Sequence, residues 1–208
     1  MSESTIGRLL SRRIDANESS ESAGFTLIEL MVVLLILAIL LAIAIPTFLG
    51  VTKSANDRSA QSNLNTALIN AKSVFQANSQ SYNLATNATY TTPSAVMAAT
   101  LAVAEPNLSF ATGTVTAGAA PAQVSVATAT DGNGVILAVQ AKATNNCWFV
   151  IDNSATEAAT GPYANLTGAP LTPGTAYGEA KNVTTCSAAA PPTASATVVY
   201  SASGFPSI

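Results

Sequence analysis

The hydrophobic positions of this chain form one dense block near the N-terminus and a sparser pattern over the rest. The block covers residues 25–45, and Glu29 is its single charged residue. An α-helix rises about 1.5 Å per residue, so a helix over this block spans roughly 30 Å, the thickness of a bilayer's hydrocarbon core. The pattern therefore predicts a membrane-spanning helix.

The segment before the apolar block is polar and contains Arg8, Arg12 and Arg13. Positive residues favour the cytoplasmic side, which places residues 1–24 inside and the chain after Pro46 outside. A conventional secretory signal fits less well, because the polar segment is long and the A-x-A-like site at residues 42–44 lies within the continuing helical pattern. A plain single-pass anchor fits the hydropathy but leaves Glu29 unexplained, since a carboxylate costs roughly 2.5–3.5 kcal/mol at the centre of a spanning helix and less near its end.

A second, half-apolar pattern follows the block. From Val51 onward, one face repeats at steps of three and four residues: Leu64, Ala67, Leu68, Ala71, Phe75 and Asn78. This period predicts an amphipathic helix, extending to about residue 80, that packs against a sheet. Pro46 lacks an amide hydrogen and Gly50 adds local freedom, so both are expected to kink or loosen the helix. Alternatively, Pro46 merely bends the helix between two environments.

After about Tyr82, short apolar runs alternate with Thr, Asn, Gly and Pro, as is typical of strands and loops. We expect a short helix at 94–104, a hairpin of strands 123–129 and 135–141 around the Asp131–Gly134 turn, and further strands at 147–151 and 197–201. The predicted fold class is α+β: a long N-terminal helix packed on a small antiparallel β-sheet head.

Composition removes several functional classes. The net charge is −3 and Lys and Arg are scarce after residue 72, so nucleic-acid binding is unsupported. Histidine is absent, which excludes His-dependent triads and dyads, and two cysteines cannot close a structural zinc site. We therefore expect no enzyme activity, cofactor or metal. Four scattered carboxylates are interpreted as exposed solubilising charges rather than a two-carboxylate hydrolase site: Asp131, Asp152, Glu157 and Glu179.

The residues from Gly24 to Leu30, GFTLIEL, together with the apolar run resemble the processing site of type IV prepilins and pseudopilins. The resemblance covers about residues 22–50. It implies that a prepilin peptidase cuts after Gly24 and that the new N-terminal Phe25 is N-methylated. It also implies that Glu29, then the fifth residue, associates with the N-terminal amine of a neighbouring subunit. Pairing an amine with a carboxylate offsets part of the cost of burying each and fixes the stagger between helices.

This resemblance divides the chain into four parts. Residues 1–24 form a leader, 25–50 a transmembrane and filament-core helix, 51–80 its amphipathic continuation, and 81–208 the head. Pro46 falls where many pilins carry a helix-loosening proline.

Cys147 and Cys186 are the two cysteines, and both lie in the part assigned outside the cytoplasm. A disulfide is the favoured interpretation, and many pilins close a C-terminal loop in this way. Such a bond would stabilise the fold by about 4 kcal/mol in the chain-entropy model. Two separate buried thiols are the alternative. The sequons at Asn87, Asn107 and Asn165, with a fourth at Asn182, are expected by chance in an Asn/Ser/Thr-rich chain.

The resemblance implies a structural subunit, a major pilin of an extracellular filament, that is anchored in the inner membrane before assembly. Its partners would be identical copies in a helical filament, the peptidase, an assembly platform protein and, indirectly, an assembly ATPase. A pseudopilin or minor pilin of a secretion or DNA-uptake system is the alternative. A membrane-tethered adhesin or hydrolase is a third, from another class.

Overall fold

The computed structural model describes residues 24–115, 123–195 and 198–206. The leader predicted at 1–24 therefore lies outside the described residues, apart from Gly24. The chain divides into two compact units, an N-terminal unit that ends at Thr47 and a C-terminal unit that begins at Phe48. Each unit is described by itself.

The first helix, α1, extends from Leu27 to Ala77. Within the N-terminal unit every residue of α1 is exposed. A helix that is apolar on all sides is typical of a membrane span. By length and composition, α1 can cross a membrane. This agrees with the long apolar helix predicted from the sequence.

Pro46 lies inside α1, and the helix continues past it through Gly50. The hydroxyl of Thr47 donates to the carbonyl oxygens of Ile43 and Ala44, at 3.1 and 2.9 Å. These bonds supply donors in the turn where the proline has no amide hydrogen. The kink at Pro46 and Gly50 stays a prediction.

In the C-terminal unit, α1 buries one face. Leu64, Ala67 and Ala71 are fully buried, whereas Ile69 on the opposite face is 69% exposed. The predicted period of three and four residues is confirmed for this face. The helix ends at Ala77, and Ser79 has a φ of +53°, which is incompatible with a continuing helix.

The helix α2 extends from Pro93 to Ala104, close to the predicted 94–104. Thr92 is its N-cap, with a side chain that accepts a hydrogen bond from the amide of Ala95, and Pro93 occupies the first turn, where no amide hydrogen is needed.

The described part of the C-terminal unit also contains a six-stranded sheet: β1 Ser109–Ala111, β2 Gln123–Thr128, β3 Gly134–Gln140, β4 Cys147–Asn153, β5 Gly174–Ala180 and β6 Val198–Ser201. The strands lie in chain order. Neighbours are antiparallel except β1 and β2, which are parallel. The predicted hairpin is confirmed as β2 and β3, and the α+β class is confirmed.

Both faces of the sheet are covered, which explains the continuous apolar runs of its central strands. Val135, Leu137 and Val139 of β3 pack in one core with the buried faces of α1 and α2. Ile136 and Ala138 face a second core, formed with loops and β5.

The sequence analysis missed β5, whose residues have low strand propensity. Gly178 is required in this strand, because it pairs with Tyr200 of β6 and a Cβ there would lie 2.6 Å from carbons of the Tyr200 ring. The aromatic ring thus fills the space that a β5 side chain would otherwise occupy.

A disulfide joins Cys147 on β4 to Cys186, with the two Cα atoms 5.4 Å apart. Both cysteines are fully buried. The backbone amide of Val115 donates to the carbonyl oxygen of Cys186 at 2.7 Å, so the bonded loop also pairs with the chain after β1. The predicted disulfide is confirmed.

Candidate functional site

Glu29 caps the start of its own helix. Its Oε2 accepts hydrogen bonds from the backbone amide and the hydroxyl of Thr26, at 2.9 and 2.8 Å. In return, the amide of Glu29 donates to the Thr26 hydroxyl oxygen at 3.2 Å. This reciprocal pair is a capping box, which satisfies amide groups that the first helical turn leaves without partners.

The capping box gives Glu29 a local role that the sequence analysis did not consider. The signal was present in the sequence as the spacing Thr26-x-x-Glu29, which is the capping-box pattern before an apolar run. A carboxylate near a helix N-terminus also interacts favourably with the positive end of the helix dipole. The side chain is exposed, so it remains accessible to a further partner.

Gly24 and Phe25 precede this cap outside the helix. A Cβ added at Gly24 would meet no atom within 4 Å, and Phe25 is 88% exposed. No described residue therefore packs against the backbone at the predicted cleavage position. The structure places Gly24, Phe25 and Glu29 within one short segment that ends in the capping box.

The apolar surface of α1 is the largest exposed hydrophobic area among the described residues. The large apolar side chains from Leu27 to Ile45 are each between 47% and 76% exposed. A soluble monomer rarely exposes so large a continuous apolar surface to water. These side chains are Leu27, Ile28, Leu30, Met31, Val32, Val33, Leu34, Leu35, Ile36, Leu37, Ile39, Leu40, Leu41, Ile43 and Ile45. A surface of this kind requires lipid or protein around it.

In the C-terminal unit, Asp57 attaches α1 to the sheet, and sequence reasoning missed it. Its Oδ1 accepts hydrogen bonds from the indole nitrogen of Trp148 at 2.9 Å and the hydroxyl of Thr144 at 2.8 Å. The amide nitrogen of Asn146 lies 3.4 Å from the same oxygen. Asp57 is 1% exposed, so these donors replace its hydration.

Asp152 makes a second attachment between α1 and the sheet. Lys72 on α1 forms an ion pair with its Oδ1 at 2.9 Å. Tyr82 donates to its Oδ2 and Thr175 to its Oδ1, each at 2.6 Å. Burial, followed by the hydrogen bond to Asp152, raises the pKa of Tyr82 above its ordinary value.

The interpretation of four exposed carboxylates is wrong for three of them. Glu179 and Glu157 are 1% and 6% exposed, and Asp152 is mostly covered by its partners, whereas Asp131 is exposed. Burial raises the pKa of Glu179, an effect that Lys181 at 3.7 Å opposes and Asp57 reinforces. Burial also raises the pKa of Glu157 to about 7, and the negative charge of Asp131 adds to this shift.

Sequence reasoning failed here because a carboxylate in a loop or strand end gives no local sign of burial. Asp152 and Glu179 are held by partners from elements that are distant in sequence, whereas the Oε1 atom of Glu157 is buried without a hydrogen-bond partner among the described residues. Within the parts of the chain that the structure describes, no group of three His, Cys, Asp or Glu side chains is placed to hold a metal ion.

Comparison with known proteins gives one family match. Residues 20–45 match the family model of the prokaryotic N-terminal methylation motif. This range contains Gly24, Phe25 and Glu29, so the motif coincides with the capped start of α1.

One curated relative is the type IV wide pilus major component PilA4 of Thermus thermophilus. This chain is 44% identical to it over 59 residues, which are 28% of this chain. The chain spans 44% of the length of that relative. No solved structure gives a significant match. The relative is by its name a structural component of a pilus.

Proposed function

We propose that this type IV pilin-like protein is a structural subunit, the major pilin, of a type IV pilus-like extracellular filament. The observation that carries the proposal is the coincidence of the N-terminal methylation motif with a capped helix whose entire apolar surface is exposed. Apolar side chains on all sides of a helix fit two successive environments, the bilayer before assembly and a bundle of identical helices afterwards.

Maturation would proceed by cleavage after Gly24 by a prepilin peptidase, followed by N-methylation of Phe25. The capping box supports this site, because it involves only Thr26 and Glu29 and lies beyond the bond to be cut. We therefore expect cleavage to leave the capped helix start in place. What changes is that a cationic amine appears close to the Glu29 carboxylate.

Glu29 would then exchange or share its partners during assembly. In the single chain its Oε2 accepts two hydrogen bonds from Thr26. The other carboxylate oxygen makes no hydrogen bond that involves the described residues, and it is available for the amine of a neighbouring subunit. Such a pair would set the axial register between helices, since a charged group displaced by one turn would lose its partner in an apolar bundle.

The proposal assigns a role to each part of the chain. Residues 25–50 form the membrane anchor and later the filament core, 51–80 join this helix to the head, and 81–208 form the head outside the cytoplasm. The partners are many identical subunits, the peptidase, a platform protein and an assembly ATPase that acts through it. Pro46 and Gly50 provide a place where the helix loosens on leaving the membrane.

An N-terminal sequence and an intact mass, taken on sheared surface material and on the membrane fraction, test this function. We expect a start at Phe25, one methyl group heavier, in sheared fibres. The same start confined to membranes would move the assignment to a pseudopilin or minor pilin. An intact Met1, or a start beyond Pro46, would contradict the proposal.

A further inference from the structure

The loop between β4 and β5, residues 154–173, folds back over Glu157. The amide of Glu157 donates to the carbonyl oxygen of Leu171 at 2.9 Å, across the loop. The loop contains two 3-10 turns, Gly161–Tyr163 and Ala169–Leu171. Glu157 is 6% exposed, and its Oε1 lies beside Gly134 of β3.

One oxygen of this buried side chain has no hydrogen-bond partner. Among the described residues, Glu157 Oε1 is inaccessible to solvent and receives no donor. A buried carboxylate that is charged and unpaired is strongly unfavourable, because it loses its hydration without compensation. A protonated carboxyl group removes the charge and becomes a donor itself.

Other side-chain oxygens share the surroundings of Glu157 Oε1. Three side-chain oxygens converge on Gly134, those of Tyr163, Asn153 and Glu157. A Cβ at residue 134 would lie 2.6 Å from Asn153 Oδ1, 2.9 Å from Glu157 Oε1 and closer still to the Tyr163 hydroxyl oxygen. Any larger residue at position 134 would force these side chains to shift.

The hydrogens of these neighbours are already used elsewhere. The Tyr163 hydroxyl donates to Asn153 Oδ1 at 2.8 Å. The Asn153 amide nitrogen donates to the carbonyl oxygen of Pro170 at 2.8 Å and to that of Thr172 at 3.3 Å. The described donors of Tyr163 and Asn153 are thus committed to other acceptors, and neither side chain donates to Glu157 Oε1.

A metal ion does not fit this position. Calcium takes six to eight oxygen ligands, and magnesium keeps several waters in an octahedral shell. Here three oxygens are packed against the Gly134 backbone, and no three metal-binding side chains meet among the described residues. Because the cluster lacks such a set of metal-binding side chains, we assign the neutralising cation as a proton.

Among the described residues, the groups whose charge acts on Glu157 or on its neighbour Tyr163 are acidic or phenolic, and the cation Lys72 is already paired with Asp152. Asp131 approaches from the turn between β2 and β3, and Tyr163 from the loop itself. Tyr82 and Asp152 act on Tyr163 in turn. The carboxylate of Asp152 forms an ion pair with Lys72. Burial, with the charge of Asp131 as the second cause, raises the pKa of Glu157 to about 7.

We propose that Glu157 is a proton-operated latch, which carries a proton and holds the 154–173 loop closed at mildly acidic pH and loosens this loop when the proton is lost. In the unfolded chain the carboxyl has its ordinary pKa of 4.5. Between that value and about 7, the folded protein holds a proton that the unfolded chain has lost. Stability therefore falls as the pH rises through this window and levels off above it.

Denaturant unfolding of the full chain in detergent, at pH 6, 7 and 8, tests the latch. From the pKa of about 7, we expect the unfolding equilibrium constant of the wild type to increase about tenfold from pH 6 to pH 8. Glu157→Gln, which stays neutral, should lose this increase. Glu105→Gln removes a carboxylate that is not fully buried, on the end of α2, and should keep it.

Two further variants refine the measurement. Asp131→Asn removes the neighbouring charge and should move the midpoint of the pH dependence to lower pH. Glu179→Gln removes the other buried glutamate. Any part of the pH dependence of unfolding that is lost in this variant belongs to Glu179, and it is subtracted from the pH dependence of the wild type. The difference between the wild type and Glu157→Gln isolates the latch.

Local amide exchange at Leu166 and Leu171, corrected for the intrinsic exchange rate, reports the loop itself. These amides donate to the carbonyl oxygens of Tyr163 and Gly168, both within the loop. We expect their protection to fall between pH 6 and pH 8 in the wild type and to stay constant in Glu157→Gln. An equal fall in both proteins would overturn the proposal, as would loop closure at pH 8 driven by added calcium and reversed by a chelator.

Discussion

The two parts of α1 differ in where their partners come from. From Leu27 to Thr47 the helix exposes its apolar side chains on every side, with Leu27 at 76% and Leu37 at 47%. In the C-terminal unit, the same helix buries Leu64 and Ala71 completely and keeps polar groups on the opposite face. The second part buries its apolar face against the sheet of its own chain, whereas the first part needs lipid or other copies of the protein to cover its apolar side chains. Substitutions in the two parts should therefore affect different measurements, assembly in one case and stability in the other.

The largest effect is expected from Glu29, and it should be confined to assembly. Glu29→Ala removes both the capping box and the charge, whereas Glu29→Gln keeps an acceptor for Thr26 and removes the charge alone. We expect both variants to be processed and inserted, with surface filament reduced below detection. Quantifying sheared pilin against membrane pilin checks this. Wild-type amounts of filament from Glu29→Gln would show that the charge is not needed.

The disulfide should give the largest effect on stability. Replacing Cys147 and Cys186 together by serine opens a loop with a sequence separation of 39 residues and should cost about 4 kcal/mol in the free energy of unfolding. Denaturant unfolding of oxidised and substituted chains measures it, and processing at Gly24 serves as the internal control. A substituted chain as stable as the wild type would contradict the expected role of the bond.

Leu64 and Ile69 provide a matched pair on one helix. Leu64 is fully buried and Ile69 is 69% exposed. Leu64→Ala should reduce the free energy of unfolding by about 3 kcal/mol, through lost burial and the cavity left behind. Ile69→Ala removes a side chain of similar size and should change it by less than about 0.5 kcal/mol. If Ile69→Ala instead reduces filament yield without changing stability, this exposed side chain contacts another copy.

Asp57 should give a smaller but more local effect. Asp57→Ala leaves the Trp148 indole and the Thr144 hydroxyl without an acceptor, which should cost about 2 kcal/mol. Trp148 is the single tryptophan of the chain, so its fluorescence reports this site directly. Asp57→Asn keeps one oxygen acceptor and should preserve more of the native emission. Unchanged stability and emission in Asp57→Ala would mean that α1 docks without this carboxylate.

The sequence predicted those parts of the molecule in which a local pattern determines the structure. The apolar block, the three-and-four period of α1 and the hairpin around Gly132 are local in this sense, and each was confirmed. The burial of Asp57 and Glu157 was not predictable, because it depends on donors or neighbours supplied by distant strands and loops. The strand β5 was missed because its glycines lower strand propensity, while Tyr200 supplies the packing from another strand.

The candidate site divides in the same way. Gly24, Phe25 and Glu29 were identified from a contiguous motif, and their roles in cleavage, methylation and assembly stay predictions. The capping function of Glu29 follows from its spacing to Thr26, which is a local signal in the sequence. Thr26 lies three residues away and binds Glu29 within the single chain, whereas a neighbouring chain can contribute only after assembly.

The chain order of the strands also has a kinetic consequence. Each strand from β2 to β6 pairs with its predecessor in sequence, so the sheet can grow by closing one connection at a time. The contact between Asp57 and Trp148, by contrast, closes a sequence separation of 91 residues. Formation of long-range contacts is slow because the loop entropy must be overcome first. Docking of α1 should therefore be the late step of folding, and until it occurs the Leu137 face of the sheet is open to chaperones and to aggregation.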